Sequence, residues 1–299
     1  MSKSLVFSGL VLLLVACKQD VPEVLKAINT LEEKYAKSKD PNDLQSLLTE
    51  YVTFVTQSNN EKALKIEILE RAEKLSTANN RFFESVMFLN TLIKEQPESP
   101  KTADRILQLA DLMKNVIRNE NASHTLYKGF LEKYPNHAKA EDVKKRIGIA
   151  GSSIPLVQMV ENLAANMYDD SLHQFNESAA TQYVDASEAF VLINPDDPKS
   201  PELLNKAAET ARSLKTYNKA ISLYDWVIEK YPSNKLAAQA LFLKAFTYDN
   251  DLHDIDKAKI FYEEFGKKYP THDFADDAKV LLENLGKSDQ EFLKSIQNK

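Results

Sequence analysis

The sequence predicts an all-α protein built from antiparallel helix hairpins. Only 6 of the 299 residues are glycine, so few of the tight hairpins and phosphate-binding loops that depend on glycine can form. Leu, Ala, Lys and Glu are abundant, and apolar residues recur at intervals of three and four, which is the period of an amphipathic helix. From Val21 onward the chain therefore predicts helices of about 12 to 20 residues separated by short turns.

The first segment of the chain is typical of an exported protein. Lys3 precedes an apolar run over residues 5–16, which ends at Cys17. This run is shorter than the ~20 residues that a membrane-spanning helix needs, but it has the length and flanks of a secretory signal. The small residue before the cysteine resembles the processing site of bacterial lipoproteins. A plain signal peptide and a buried strand are the alternatives.

The lipoprotein resemblance implies a location. Residues 1–16 would be a removed signal peptide, Cys17 would be lipidated with palmitate-type chains, and residues 17–20 would form a short tether. We therefore expect a protein anchored in the bacterial cell envelope, at the outer membrane and facing the periplasm. Several acyl chains on one cysteine would make that anchor stable.

Composition excludes several functional classes. Cys17 is the only cysteine, so a disulfide framework and a cysteine-rich zinc site are excluded, as is a thiol nucleophile if Cys17 carries lipid. Loss of residues 1–16 removes Lys3 and leaves 37 basic against 44 acidic residues, a net charge of about −7. Nucleic acid is therefore not an expected partner.

Two strong breaks divide the helical region. Residues 148–155 contain two glycines, a serine pair and a proline, and residues 194–201 contain three prolines, which the interior of a helix does not tolerate. Weaker breaks with Asp, Asn or Pro fall near residues 40–42, 58–60, 78–80 and 96–100. The predicted divisions are degenerate N-terminal helical repeats at 21–147, a helical connector with a degenerate repeat at 148–200, C-terminal repeats at 201–287 and a terminal capping helix at 288–299.

A short motif recurs along the chain. The segment YKGFLEKYPNH at 127–137 is echoed by YEEFGKKYPTH at 262–272 and more loosely by YDWVIEKYPSN at 224–234. Degenerate relatives end at Pro97 and Pro195. Three copies this close predict a structural repeat.

The repeat resembles the tetratricopeptide repeat, a helix–turn–helix unit of ~34 residues. Residues 201–234 fit one unit without a gap, and residues 235–271 fit a second with extra residues in its turns. The resemblance implies an α-solenoid, a right-handed superhelical array of antiparallel helix hairpins. The residues expected in its core are Ala208, Ala211, Ala220, Tyr224, Val227, Ala245, Tyr248, Ala258, Tyr262 and Phe265.

No segment predicts a catalytic or metal site. The acidic stretch 249–256 begins like a calcium-binding loop, but Asp254 stands where such a loop needs glycine and Ile260 where it needs glutamate. We predict a turn in which Asp254 or Asp256 caps the next helix. His137 and His272 hold equivalent places in two repeats, which indicates capping or packing. We expect no catalytic residue, metal or cofactor.

The resemblance also implies a partner-binding face. In the repeat family the first helix of each hairpin faces the concave side. Phe242 and Phe246 are expected either to fill the core between repeats or, if exposed, to anchor a partner. The candidate partner-binding residues are Glu202, Asn205, Glu209, Arg212, Phe242, Phe246 and Asp249.

Three functional hypotheses follow. The leading one is a non-enzymatic lipoprotein scaffold that binds a peptide segment or helix of other envelope proteins in its concave groove. Long-turn repeats ending in Tyr-Pro on an acylated cysteine resemble the BamD-type lipoproteins of outer-membrane protein assembly, and the resemblance is one of architecture. The second hypothesis is a solute- or glycan-binding lipoprotein of an uptake system. The third is an envelope enzyme with a carboxylate pair that no segment identifies.

Overall fold

The computed structural model describes residues 23–56, 61–148, 154–169 and 174–287. Cys17, the predicted signal and tether, and the predicted capping helix at 288–299 lie outside the described residues. The chain divides into two compact units between Ser76 and Thr77. In the described residues no helix has both the length and the apolar character needed to cross a bilayer.

The first unit contains a helix hairpin and most of a third helix. Its helices are α1 (Glu23–Ser38), α2 (Pro41–Thr56) and α3 (Lys62–Ala78), the last of which ends in the second unit. The break predicted at residues 40–42 is the turn between α1 and α2, where Asn42 N donates to the Asp40 side chain at 2.7 Å. This bond caps the start of α2.

The second unit is a succession of helix hairpins in which α5 pairs with α6, α10 with α11 and α12 with α13. Two strands of two residues, β1 (Tyr168–Asp169) and β2 (Gln174–Phe175), pair antiparallel between α8 and α9. Its helices are α4 (Phe82–Glu95), α5 (Thr102–Leu112), α6 (Glu120–Lys133), α7 (Ala140–Ile147), α8 (Leu156–Ala164), α9 (Glu177–Ile193), α10 (Ser200–Ser213), α11 (Tyr217–Lys230), α12 (Lys235–Phe246), α13 (Ile255–Lys268) and α14 (Ala275–Glu283).

Each proline motif forms the same turn between a second helix and the next first helix. In the copy at 134–140, His137 N donates to Tyr134 O at 3.1 Å and Ala140 N donates to His137 O at 2.8 Å. His137 Nδ1 also accepts a hydrogen bond from Lys139 N at 3.3 Å. The same backbone pattern recurs at residues 96–102, 194–200, 231–237 and 269–275.

The histidines of this turn both cap and pack, as the sequence predicts. His272 Nδ1 accepts from Phe274 N at 3.2 Å, as His137 does from Lys139 N in its own turn. The His137 ring lies edge-on to Phe130 with centroids 5.2 Å apart, and His272 lies against Phe265 at 5.7 Å. Ser99, Asp197 and Asn234 occupy the same position in the other turns and accept the same backbone hydrogen bond.

In the turns within hairpins, the residue before the capping residue has a left-handed backbone conformation. Backbone φ lies between 53° and 61° at each of these non-glycine positions, a conformation that L-residues adopt with strain. The residue that follows begins the second helix, and Asp254 does so through its side chain, which accepts from Lys257 N at 3.1 Å. The predicted capping role of Asp254 is thus confirmed. The left-handed residues are Lys39, Asn80, Arg118, Lys215 and His253.

One-residue differences in repeat length are taken up by π-helical turns. Proline-to-proline spacing is 37 residues from Pro195 to Pro232 and 38 residues from Pro232 to Pro270. In the longer repeat the first helix ends in a π-helical turn, Thr247–Asp251, and the repeat from Pro97 has one at Met113–Ile117. The extra residue of the last repeat therefore extends its first helix, because a π turn holds one more residue than an α turn.

The segment 148–200 contributes to the core of the second unit. It holds α8, the two short strands and α9, and α9 packs against α6, α8 and α10. Nearly every residue from Ala186 to Ile193 is buried. The close approach of α6 to α9 depends on Gly129, since a Cβ there would lie 2.4 Å from Ile193 Cδ1.

The core residues expected from the repeat resemblance are in place with one exception. Tyr248 stays half-buried and stacks on Phe261 with centroids 5.4 Å apart. The others are at most 1% exposed: Ala208, Ala211, Ala220, Tyr224, Val227, Ala245, Ala258, Tyr262 and Phe265.

A polar network joins four helices inside the second unit. Glu188 on α9 accepts from Asn90 Nδ2 at 3.0 Å and forms an ion pair with Lys219 on α11. Asp185 accepts from the Asn119 side chain, the N-cap of α6, at 2.9 Å. Burial by itself would lower the pKa of Lys219, but Glu188 and Asp185 outweigh it and raise that pKa. The ammonium therefore stays charged and holds α9 against α11.

The two helical glycines Gly129 and Gly266 should respond oppositely to alanine. We expect Gly129→Ala to lower the free energy of unfolding, because a Cβ there collides with Ile193 and overpacking costs about 1–3 kcal/mol. Gly266→Ala meets no atom within 4 Å and should raise it by about 1 kcal/mol through helix propensity. Urea denaturation followed by circular dichroism measures both, and equal changes would contradict the close α6–α9 contact.

Candidate functional site

A tyrosine eight residues before the turn proline directs its hydroxyl toward a carboxylate of the first helix in its own hairpin. Tyr127 on α6 donates to Asp111 on α5. Tyr262 on α13 donates to Asp249 at 3.4 Å. Burial and the hydrogen bond to Asp111 raise the pKa of Tyr127 to about 12, so its hydroxyl remains a donor at neutral pH.

An arginine from the following helix completes the arrangement at α5. Arg146 on α7 places Nη1 2.7 Å from Asp111 Oδ1 and Nη2 2.6 Å from Asp142 Oδ2. Asp111 thus binds a tyrosine hydroxyl and a guanidinium together. We call this set, Tyr127, Asp111 and Arg146, a tyrosine–carboxylate–arginine cluster.

The first unit contains a second tyrosine–carboxylate–arginine cluster. Tyr51 on α2 donates to Glu32 Oε1 at 2.5 Å, and Arg71 on α3 lies 3.4 Å from the same carboxylate. As in the other cluster, the carboxylate belongs to a first helix and the arginine to the helix after the hairpin. The same arrangement of three groups therefore occurs once in each unit among the described residues.

A cleft of about 530 Å³ lies beside the first-helix carboxylates of the second unit. It opens between α5 with its π-helical turn and α7, and its charged groups are paired, Lys139 with Asp104 at 2.7 Å and Arg146 with Asp111 and Asp142. Val116 is 39% exposed and forms part of the lining. The apolar lining is Leu107, Leu112, Val116 and Val143. A cleft of this kind suits one apolar side chain held by polar neighbours.

The corresponding face between α10 and α12 has a different chemistry. Glu209 on α10 accepts hydrogen bonds from Asn205 Nδ2 at 2.7 Å and Gln239 Nε2 at 3.0 Å. Burial raises the pKa of Glu209 above its ordinary value. Both of these donors are neutral amides, so the hydrogen bonds to this half-buried carboxylate come from uncharged groups, whereas Asp111 is bound by a guanidinium.

Arg212 lies at the end of α10 beside the π-helical turn of α12. Its Nε donates to Asp251 Oδ2 at 2.5 Å, and its guanidinium lies 4.8 Å from the centre of the Phe246 ring. The neighbouring Asp249 accepts from Tyr262, and burial raises the pKa of Asp249. We call Asn205, Glu209, Arg212, Gln239, Asp249 and Asp251 the α10–α12 polar face.

The structure brings five of the seven candidate residues together at the α10–α12 polar face, among them Asn205, which donates to Glu209. Glu209, Arg212, Phe246 and Asp249 lie within or against the α10–α12 polar face. Glu202 is exposed and pairs with Lys199 at 3.2 Å, so its charge is already compensated.

Phe242 and Asn205 were expected among the partner-binding residues, but both are buried. The Phe242 ring is 9% exposed and packs 4.7 Å from the Phe274 ring and 5.7 Å from the Phe265 ring. Phe242 therefore fills the core between repeats, which is one of the two alternatives given by the sequence. The other alternative, an exposed anchor for a partner, is wrong for this residue. Asn205 is 4% exposed, so it offers little surface to a partner. Its role is the hydrogen bond that it donates to Glu209.

Sequence reasoning missed Asp111, Arg146, Gln239 and Asp251. The recurring tyrosine eight residues before proline was the available signal, because a buried tyrosine needs a hydroxyl partner. The partner's identity was not readable, since Arg146 is 35 residues from the carboxylate it binds.

The described residues contain no group of three or more His, Cys, Asp and Glu side chains placed to hold a metal ion. The acidic stretch 249–256 is a helix turn with Asp254 as its cap. The predicted turn with a capping Asp254 is therefore confirmed.

The family model of the tetratricopeptide repeat matches residues 239–272. The chain contains a tetratricopeptide repeat. That match covers most of α12 and all of α13, the unit that the sequence predicted at 235–271. No curated protein matches the chain.

Two solved structures resemble the tetratricopeptide-repeat chain at low identity. One is the TPR2AB domain of yeast Sti1 in complex with pHSP90, 14% identical, with a TM-score of 0.32 and coverage of 86% of this chain and 96% of that one. The other is the C-terminal part of a TPR repeat-containing protein from Cytophaga hutchinsonii, 13% identical, with a TM-score of 0.25 and coverage of 84% and 98%.

Removal of the hydroxyl should affect Tyr127 and Tyr224 differently. Tyr127→Phe deletes the bond to Asp111, and we expect the free energy of unfolding to fall by about 1 kcal/mol. Tyr224→Phe should leave it unchanged or raise it, because that buried hydroxyl has no hydrogen-bond partner. Thermal or urea unfolding of the two matched variants tests this, and a larger loss for Tyr224→Phe would contradict the role of the cluster.

Proposed function

We propose that this protein is a non-enzymatic repeat scaffold that binds a segment of a protein partner along the face formed by α5, α7, α10 and α12. We call this the first-helix face. The observation that carries the proposal is the cleft beside Asp111 and Arg146, whose charged groups are already paired and held in place. A surface ordered before binding loses little conformational freedom when a segment docks.

The proposal includes a lipid anchor in the bacterial envelope. Its support is the sequence alone: the apolar run at 5–16, Cys17 after it, and the short tether at 17–20. Confinement to a membrane surface raises the effective concentration of the scaffold near membrane partners. An outer-membrane location facing the periplasm, and a part in outer-membrane protein assembly, belong to the same proposal.

The first-helix face should contact partners in cells. We expect a photo-reactive amino acid at Val116, in the lining of the cleft, to give discrete crosslinked bands in intact cells. The matched control is Ile260, a 59% exposed apolar residue on the second helix α13. Immunoblotting and mass spectrometry identify the products.

Specific bands at Ile260 with none at Val116 would show that partners use the second helices, and the proposed face would be wrong. Equal patterns at both positions would indicate contact through exposed apolar surface in general.

The anchor depends on Cys17. We expect Cys17→Ala, or treatment with globomycin, to move the protein from the membrane fraction to the soluble fraction, because no described helix can replace the lipid as an anchor. Cell fractionation and immunoblotting measure the shift. Unchanged membrane association in both conditions would contradict lipid anchoring while leaving the docking face untouched.

A further inference from the structure

The α10–α12 polar face lacks the arginine that completes the other clusters. Arg146 stands eleven residues after Pro135, and the residue eleven after Pro232 is Leu243. Asp111 and Glu32 each have a guanidinium within 3.4 Å. Glu209, the first-helix carboxylate of its hairpin, has only two amide donors instead.

The cations near Glu209 are engaged elsewhere. Arg212 is bound to Asp251 and lies over the Phe246 ring. Lys206 extends to Glu202 at 3.9 Å and is exposed. Among the described residues no salt bridge reaches either Glu209 or Asp249, so three carboxylates of this face share one arginine.

Two buried polar atoms beside Glu209 are also unpartnered. Asn205 Oδ1 has no donor, although the residue is 4% exposed and its Nδ2 binds Glu209. The Tyr224 hydroxyl has no partner, and the residue is fully buried. Tyr224 stands eight residues before Pro232, the position from which Tyr127 and Tyr262 donate to first-helix carboxylates in their own hairpins. Unsatisfied buried groups of this kind are destabilising, and a donor from another molecule can satisfy an acceptor.

We propose that the α10–α12 polar face binds a cationic side chain of the docked partner segment, an arginine in preference to a lysine. This inference rests on the proposed function and names the chemistry of the partner. A guanidinium carries five donors in a plane and no acceptor, so it can serve the Glu209 carboxylate and the Asn205 carbonyl oxygen together. Leu243 of α12 holds the position that Arg146 holds in α7, and the partner would supply the arginine that is missing there.

The charge of the face favours this occupant over an acidic one. Glu209 and Asp249 are half-buried, and burial raises the pKa of both by more than the nearby cations lower it. A bound cation relieves that desolvation, whereas a partner carboxylate would face three like charges with Arg212 already paired. Charge-assisted hydrogen bonds to a carboxylate contribute about 1.5–3 kcal/mol, and this corresponds to about 10-fold or more in affinity.

The test uses the full-length protein, purified in detergent, and an array of synthetic 12-residue peptides. Each peptide exists in three forms that differ only in arginine, lysine or citrulline at the central position, since citrulline keeps the shape of arginine and loses its charge. We expect the bound arginine peptides to exceed their citrulline partners about 10-fold in affinity, with lysine peptides between them.

Matched variants separate binding from folding. Glu209→Gln should abolish the arginine preference without lowering stability, because it removes a half-buried charge whose burial is unfavourable and which forms no salt bridge. Gln239→Arg should abolish the preference as well, because it places a guanidinium on Glu209 within the chain. Glu229→Gln, a change at a 67% exposed carboxylate on α11, should keep the preference.

Each other outcome overturns a defined claim. If arginine and citrulline peptides bind equally, the cation site is wrong and the docking function stands. The cation site is also wrong if Glu209→Gln and Gln239→Arg both retain the preference. If no peptide of either series binds, the docking function and the cation site fail together.

Discussion

The proline of each inter-repeat turn imposes the constraint on which the rest of the structure depends. Steric clash with the proline ring excludes the residue before it from the helical region. That residue has φ from −119° to −132° and ψ from 49° to 59° after α4, α6, α9, α11 and α13. The second helix therefore ends at the same place in every repeat. The next first helix starts within six residues, where a side chain such as His137 or Asn234 accepts a backbone hydrogen bond. Where this spacing is kept, residues of neighbouring first helices meet, as Asp111 does with Arg146 and Glu209 with Gln239.

The tyrosine eight residues before the proline links this backbone regularity to the surface. Its ring fills the hairpin core, and in two repeats its hydroxyl donates to a first-helix carboxylate, Tyr127 to Asp111 and Tyr262 to Asp249. Where an arginine follows, as Arg146 does for Asp111, the carboxylate is compensated and the helices are held together. Where the arginine is absent, as at Glu209, a neighbouring buried acceptor, Asn205 Oδ1, is left without a hydrogen-bond donor. Local departures from an otherwise consistent pattern are commonly found at functional sites, and this departure lies on the face proposed for the partner.

Much of the fold could be predicted from particular residues. Ala208 and Ala220, Tyr224 and Tyr262, and Phe265 lie in the core where the repeat pattern places them. Asp254 caps α13, and His137 and His272 cap and pack in equivalent turns. Other features were not predictable from pattern. The segment 148–200 was expected to be a helical connector with a degenerate repeat. That α9 within it packs against α6, α8 and α10 could not be predicted, because burial depends on neighbours that are distant in sequence. The π-helical turns also escaped prediction, since one added residue leaves the apolar period almost unchanged.

The sequence by itself determined where helices begin and end, which residues turn the chain, and which small and aromatic residues meet inside each hairpin. These outcomes depend on interactions within a few residues or within one repeat, so their chemistry is readable along the chain. Only the tertiary structure decided that Phe242 is buried beneath Phe274, that Asn205 supports Glu209, and that Asp111 has an arginine while Glu209 has none. The physical reason is that burial and charge compensation arise where helices of different repeats meet. Arg146 and Asp111 are 35 residues apart in the sequence, and at that separation the sequence pattern does not show which residues are close in space.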